Sequence, residues 1–372
     1  MIVMARVCIM VWFQRIALGL LRCDYMLHEY TLKQVEMNTI ASSFAGISTA
    51  ITQLDRFILT EIGRLDSMEH IPPNGALAGL CNGMLDAWKM YNNKTAIILF
   101  IVEDVTYNIC DQRFHEFEIR RLNPHVKVIR RTLTQMADRA SLSKDKELIV
   151  DGNIVGVIYF RSGYETAAYH SQREWDARLL MERSKAIKCP SIQYHLAGTK
   201  KVQQELCKPG VLELFFDDAK KLESIRELFV GIYGLEFDDA GNQAVQLAIR
   251  NPERYVLKPQ REGGGNNIYG FKIKDAIMGM KDSKERTAWI LMEKICPPLT
   301  RGYVVRPGGP KVPPLSNLVS ELGIFGVIIG DAEHIMVNKQ VGHMLRTKDA
   351  TADEGGVASG LGTLDGPFLV DD

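Results

Sequence analysis

The segment best equipped for chemistry is Lys258-Pro259-Gln260-Arg261-Glu262-Gly263-Gly264-Gly265-Asn266-Asn267, which follows the apolar run Tyr255-Val256-Leu257. Consecutive glycines let a backbone approach a ligand closely and reach positive φ. Their N–H groups can cradle phosphate oxygens. Lys258 adds a point charge for phosphate, and Glu262 adds a hard oxygen for Mg²⁺. The spacing is neither the GxxxxGK(S/T) of a Walker loop nor GxGxxG, because the sixth position from Gly263 is Ile268. A solvated turn is the bland alternative. The density of Lys, Arg, Glu and Asn around the glycines, directly after an apolar run, argues against it.

A second cluster is Gln34-Val35-Glu36-Met37-Asn38. In a strand, residues two apart share a face. Gln34, Glu36 and Asn38 are therefore expected on one side, a carboxylate and a carboxamide oxygen suited to Mg²⁺. Any half-exposed strand shows the same alternation. A third cluster joins Arg346-Thr347-Lys348 to Glu354-Gly355-Gly356-Val357-Ala358. Arg346 can grip a carboxylate bidentately, which lysine cannot, and Gly355-Gly356 permits a closing loop. A basic turn and a loose tail would read the same way. Three further segments matter in this company. Arg161-Ser162-Gly163-Tyr164 ends a strand with a guanidinium and a phenol. Gly198-Thr199-Lys200-Lys201 opens a helix with Thr199 as a cap. Met292-Glu293-Lys294-Ile295 ends a strand whose backbone can read an adenine edge in an apolar pocket.

These segments need elements to hold them. Leu32 to Ile40 reads as a strand, Thr49 to Met68 as an amphipathic helix (Ile51, Leu54, Phe57, Ile58, Ile62, Leu65), and Ala76 to Tyr91 as a second helix. Thr95 to Val102 is almost wholly apolar, as in a parallel strand buried on both faces. Arg113 to Leu122 reads as helix, and Val126 to Leu133 as strand. Asp151-Gly152 inside Glu147 to Phe160 signals a hairpin. Helices are expected over Ser171 to Lys185, Asp217 to Gly231 and Ala244 to Arg250. Strands are expected over Arg254 to Lys258, Ala288 to Ile295, Leu318 to Ile329 and His334 to Val341. The class is α+β, with an α/β unit between 95 and 160.

The chain has 372 residues, more than one typical core, so more than one packed unit is expected. Lys plus Arg and Asp plus Glu both count 45, which gives no global field for nucleic acid or an anionic membrane. The seven cysteines are scattered without CxxC, against a disulfide framework or a zinc site. A reduced, cytoplasmic protein fits them. Val7 to Phe13 is apolar, and Ala17-Leu18-Gly19 loosely matches a signal cleavage site. Arg15 between the two favours a buried strand or helix over export, and the run is too short to span a membrane.

In this order the motifs resemble those of the eukaryotic glutathione synthetases, of the ATP-grasp superfamily. KPQREGGGNN at 258–267, LAGTKKVQQEL at 196–206, ELGIFGV at 321–327 and GHMLRTK at 342–348 carry the resemblance. RCDYM at 22–26 matches with Cys23 in place of a serine. The resemblance implies an ATP-grasp fold in which residues 1–94 form part of the body. Residues 95–197 are an inserted α/β substrate domain, and 198–372 the catalytic region with a glycine-rich lid. It implies that Glu36, Asn38 and Glu262 hold Mg²⁺. Around ATP it places Glu36, Lys200, Lys258 through Asn267, Tyr269, Met292, Glu293, Lys294, Ile295, Glu321, Lys348 and Glu354. Around the peptide it places Arg22, Ile40, Ala41, Ser42, Ser43, Thr106, Tyr107, Asn108, Gln112, Arg161, Ser162, Gly163, Tyr164, Arg346, Val357 and Ala358. Arg22, Lys258 and Arg346 carry catalysis. Ala41 stands where some members have serine.

The implied reaction joins glycine to γ-glutamylcysteine with ATP, in a homodimer. Two alternatives stay open: another acceptor amino acid, or an inactive short form that binds or regulates. Family members begin well upstream of the RCDYM segment, so an uncovered core face is expected here.

Overall fold

The computed structural model describes residues 14–260, 265–305, 308–357 and 360–370. The expectation for Val7 to Phe13 lies outside them. Along the chain, β1 (Ala17–His28) and β2 (Thr31–Asn38) form a hairpin. Helices α1 (Ala45–Glu61) and α2 (Ala76–Tyr91) follow, then β3 (Ile97–Ile101), α3 (Ile109–Leu122), β4 (Val128–Arg131) and α4 (Leu133–Arg139). Next come β5 (Ala140–Leu142), β6 (Leu148–Val150), β7 (Asn153–Phe160), α5 (Gln172–Glu182) and β8 (Ile187–Cys189). The segment after β8 holds α6 (Ile192–Ala197), α7 (Lys200–Leu206), α8 (Ala219–Leu228), β9 (Ile232–Gly234) and α9 (Asp239–Arg250). The remainder is β10 (Tyr255–Pro259), β11 (Ile268–Tyr269), α10 (Lys272–Met280), β12 (Trp289–Glu293), β13 (Thr300–Tyr303), β14 (Leu315–Gly330), β15 (Ile335–Asp349) and β16 (Gly362–Asp365).

Three sheets result. The first is antiparallel in the order β16-β15-β14-β1-β2, with β13 also on β14. The second is β11-β10-β12-β9. The third is β4-β3-β7-β6-β5 with β8 on β7, and it draws all its strands from residues 128–189 and 97–101. Its β3, β4, β7 and β8 run parallel, whereas β5, β6 and β7 are joined antiparallel. The apolar run of β3 is buried throughout. Ile98 and Phe100 enter one core with Leu80, Met84 and Phe325, while Ile97, Leu99 and Ile101 enter another with Met136, Phe160 and Met181. The period of two explains why every residue is apolar. Asp151 and Gly152 have φ of 48° and 75°, the left-handed pair that a two-residue hairpin between β6 and β7 requires.

Helix α2 lies between the first and third sheets. A Cβ at Gly79 would sit 2.3 Å from the Val341 side chain, and one at Gly83 would sit 2.7 Å from Val327, so the small residues let the helix approach the β14–β15 ribbon. Glu174 and Ser171 form a capping box on α5. No helix among the described residues is long and apolar enough to cross a membrane. The six cysteines among them are free thiols.

Four expectations need correction. The helix read over Thr49 to Met68 ends at Glu61, with Gly63 at φ 72° and a short 3₁₀ turn beyond. Its apolar stripe, Leu54, Phe57 and Ile58 with Ile62 and Leu65 beyond, is 44–63% exposed. The inward face is Ala45, Gly46, Ser48 and Thr52 instead, because a Cβ at Gly46 would already meet Phe114 at 2.7 Å. Thr199 precedes α7 but makes no side-chain cap; its hydroxyl donates to the Leu196 carbonyl. The ribbon strands outrun their apolar runs, because β14 and β15 pair from Leu318↔Asp349 to Gly330↔Ile335. Finally, β2 carries a bulge: Asp24 faces Glu36, but Tyr25 faces Gln34. The extra residue breaks the alternation, so Gln34 is buried and meets Gln203.

Candidate functional site

All three sheets contribute to one cleft of about 800 Å³. The first sheet supplies Arg22 from β1, Glu36 and Asn38 from β2, Glu321 from β14, and Arg346 and Lys348 from β15. From the second sheet come Lys258, Tyr269 and Met292, with Glu293, Lys294 and Ile295 where β12 ends. Arg161 and Tyr164 follow β7 of the third, and Lys200 opens α7.

The middle of the cleft is a lattice of charge. Arg22 and Asp24, two apart on β1, form a bidentate pair of 2.6 and 2.7 Å, both buried. Asn38, opposite Arg22 in the hairpin, donates to the same Asp24 carboxylate at 3.1 Å. Glu321 and Arg346 stand opposite each other in the β14–β15 register and bond at 2.5 Å. Lys200 Nζ is 3.8 Å from Glu36. Burial works to raise the Glu36 pKa, yet Lys200, Lys258, Arg22 and Arg346 overcome it and hold the carboxyl below its ordinary value. Glu321 goes the other way. Burial, opposed by Arg346 and aided by Asp24 and Glu36, pushes it up to about 7. Burial also lowers Lys258, against the pull of Glu36.

One end is partly apolar, with Met26, Val256, Met292, Ile295, Pro297 and Val319. Here the Glu293 carboxylate is turned away, accepting from Gly231 N and the Tyr233 hydroxyl. Gly265 N donates to Glu354 at 3.0 Å, joining the glycine-rich segment to the C-terminal loop. Lys348 reaches the Asp353 carbonyl at 2.7 Å.

At the opposite end, loop 40–44 is tightly held. Ala41 and Phe44 adopt φ of 51° and 80°, unusual for residues with side chains. Arg161 donates to the Ser42 carbonyl at 2.9 Å and to Ser43 Oγ at 2.8 Å. Asn108 reaches the same Oγ at 2.9 Å, and Arg22 reaches the Ser43 carbonyl at 3.0 Å. Asp111, fully buried on α3, accepts from Phe44 N and Gly46 N at 2.9 and 3.0 Å, so it caps α1 from outside.

Of the sequence-derived residues, Ile40, Ala41, Ser42, Ser43, Thr106, Tyr107, Asn108, Gln112, Asn267, Glu354 and Val357 also line the cleft. Ser162, Gly163, Pro259, Gln260, Gly265 and Asn266 do not. Pro259 is buried in β10, and Gln260 accepts from Lys201 N at 3.0 Å. Arg261, Glu262, Gly263, Gly264 and Ala358 lie outside the described residues. Asp24, Glu103 and Asp111 were missed. Asp24 was within reach of inspection, because Arg-x-Asp puts both charges on one strand face. Asp111 had no local signal.

The donor set suits Mg²⁺. Glu36 and Asn38 both offer oxygen, and the Asn38 amide nitrogen is committed to Asp24, which turns its oxygen the other way. No three His, Cys, Asp or Glu side chains among the described residues gather as a metal cage.

A cleft with an apolar end, a cationic middle and a rigid polar end is that of an enzyme acting on a nucleotide and a second, charged substrate. Residues 4–369 match the model of the eukaryotic glutathione synthase ATP-binding domain. The glutathione synthetases of Xenopus laevis and Homo sapiens are each 43% identical over 363 residues, 96% of this chain and 76% of theirs. The chloroplastic enzyme of Solanum lycopersicum is 42% identical, with 96% of this chain and 65% of its own length covered. Among solved structures, a glutathione synthetase-like effector from Globodera pallida superposes with a TM-score of 0.78 at 26% identity, covering 99% of this chain and 79% of that one. The chain belongs to the eukaryotic glutathione synthase family.

Proposed function

We propose that this chain ligates glycine to γ-glutamylcysteine at the expense of ATP, on an ATP-grasp scaffold closed by the glycine-rich segments near 263–265 and 355–356. The observation that carries the reading is the gathering of Lys200, Lys258, Arg22 and Arg346 in one cleft around Glu36, with Lys200 Nζ 3.8 Å from its carboxylate. Such a set of cations suits a polyphosphate meeting a substrate carboxylate. Arg22 and Arg346 sit between the two ends and receive the cysteinyl carboxylate. Its oxygen attacks the γ-phosphorus, ADP leaves, and an acyl phosphate forms. The glycine amine then attacks the carbonyl carbon, loses a proton, and phosphate departs. Lys258 and Lys200 stabilise charge on the transferring phosphoryl group. Mg²⁺ on Glu36 and Asn38, with Glu262, would neutralise phosphate charge. Because acyl phosphates hydrolyse, water must be excluded, and the Gly265–Glu354 contact, which joins the two loops, supports a closing role for them.

The test is ADP release by the purified protein with γ-glutamylcysteine, with and without glycine. Glycine-dependent turnover is expected. Faster turnover with another amino acid would move the reading to a related ligase. No turnover, with Mg·ATP still raising the melting temperature, would make the chain a binding form.

A further inference from the structure

Six acidic residues line the cleft, and the carboxylates of Glu36, Glu293, Glu321 and Glu354 each face a cation or a backbone N–H. Glu103 is different. It lies just past the C-terminal end of β3, half-buried, and its described contact is the Tyr164 hydroxyl, which donates to Oε1 at 3.5 Å. No ion pair among the described residues engages it.

Its position is informative. β3 and β7 are neighbouring parallel strands, with Ile101 opposite Phe160. Arg161 N donates to the Ile101 carbonyl at 2.8 Å. Glu103 and Arg161 therefore leave adjacent strands at the carboxyl edge of a parallel sheet, where α/β sheets bind ligands. Both line the same cleft, one bringing a carboxylate and the other a guanidinium. A free α-amino-acid head carries the complementary pair, an ammonium and a carboxylate on one carbon. A γ-glutamyl peptide keeps that head intact, whereas an ordinary α-linked peptide does not.

We infer that Glu103 accepts the α-ammonium of the γ-glutamyl residue and thereby selects γ-linked over deamino substrates. This rests on the ligase reading above. The glycine amine must be unprotonated to attack, so a carboxylate that favours an ammonium better suits the γ-glutamyl head, whose amine does not react. Arg161 is 4% exposed and spends donors on Ser42, Ser43 and Tyr159. It therefore fixes the loop while Glu103 reads charge. A site that pairs a polar substrate group rejects the analogue lacking it strongly, because its own group is left unpaired.

The experiment compares γ-glutamylcysteine with glutarylcysteine, in which hydrogen replaces the ammonium, for wild type, Glu103→Gln and Glu103→Asp. Wild type should prefer the natural dipeptide by about 100-fold in kcat/KM, and Glu103→Gln by less than about 10-fold. The loss should sit in the dipeptide KM, with the ATP KM and melting temperature unmoved. Glu103→Asp should recover part of the preference. An unchanged preference in Glu103→Gln overturns the inference and leaves the ligase standing. If wild type shows no glycine-dependent turnover, the ligase reading falls instead, and calorimetric titration of the two dipeptides into wild type and Glu103→Gln decides the inference by the same ratio.

Discussion

At the end of the cleft proposed for the peptide, Arg161, Asn108 and Arg22 all close on Ser42 or Ser43 by direct hydrogen bonds, and Asp111 pins the next turn. In the middle of the cleft, which we propose meets the nucleotide's phosphates, Lys200 stands 3.8 Å from Glu36, and Lys258 donates to the Val35 carbonyl at 3.4 Å. The first region is shaped before any ligand arrives. The second is balanced by charge, and in the proposed function phosphate joins that balance. On the proposed function, a small peptide meets a rigid mould, whereas a polyanion meets a field, which tolerates looser geometry.

Lys258→Met breaks the contrast most sharply. It should lower kcat/KM for glycine-dependent ADP release by about 10²–10³-fold, yet keep or raise the melting temperature, because a buried and poorly paired ammonium is removed. A melting temperature that drops with activity would place Lys258 in the framework instead. Asp111→Ala attacks the rigid end. It strands two backbone N–H groups and leaves Arg161 without a carboxylate 4.0 Å away. The expected result is a 10- to 100-fold higher KM for γ-glutamylcysteine and about 3 kcal/mol less stability by chemical denaturation, with the ATP KM moved less than about twofold. Equal losses for both substrates would erase the distinction between the ends.

His195 supplies a control outside both regions. Buried on α6, it is held down at about 4, first by burial and then by Arg178. The folded form keeps it neutral while the unfolded chain takes a proton below about 6.5. Its contribution to stability is complete above that pH and is lost as pH falls towards 4, to the extent of about 2–3 kcal/mol. Denaturation midpoints across this range should slope in wild type and flatten in His195→Gln, with specific activity at pH 7 unaltered. A parallel slope in the variant would assign the acid sensitivity to the carboxylates.

Local pattern carried much of this molecule. The apolar run of β3, the Asp151-Gly152 turn and the approach to Lys258 were legible because each is decided within a few residues. The Glu36–Asn38 pair was legible as a face, but the bulge at Val35 was not, because it depends on the partner strand. The outward stripe of α1 could not be foreseen, since periodicity reports that a helix has two faces and not which one its neighbours accept; Phe114 makes that choice. Asp111 is a helix residue whose role exists only once loop 40–44 folds against it. Where long-range partners decide, as for Arg346 with Glu321, types were readable and pairings were not.

One feature of the first sheet bears on how the protein is made. β1 is zipped to β14 from Ala17↔Gly330 to Tyr25↔Leu322. At a synthesis rate of roughly 5–20 residues per second, residues 17–38 wait on the order of 15–60 s for that partner to leave the ribosome. The third sheet can assemble during the wait, because its strands end at Cys189. Through it, β1 lacks its β14 partner, although Leu18 and Leu20 can already pack against α2, β3, β7 and β8 in the core they share. The last strand to be synthesised into that sheet's centre therefore governs when β1, which carries the Arg22 proposed for catalysis, gains its second neighbour, and high-separation pairing of this kind is slow.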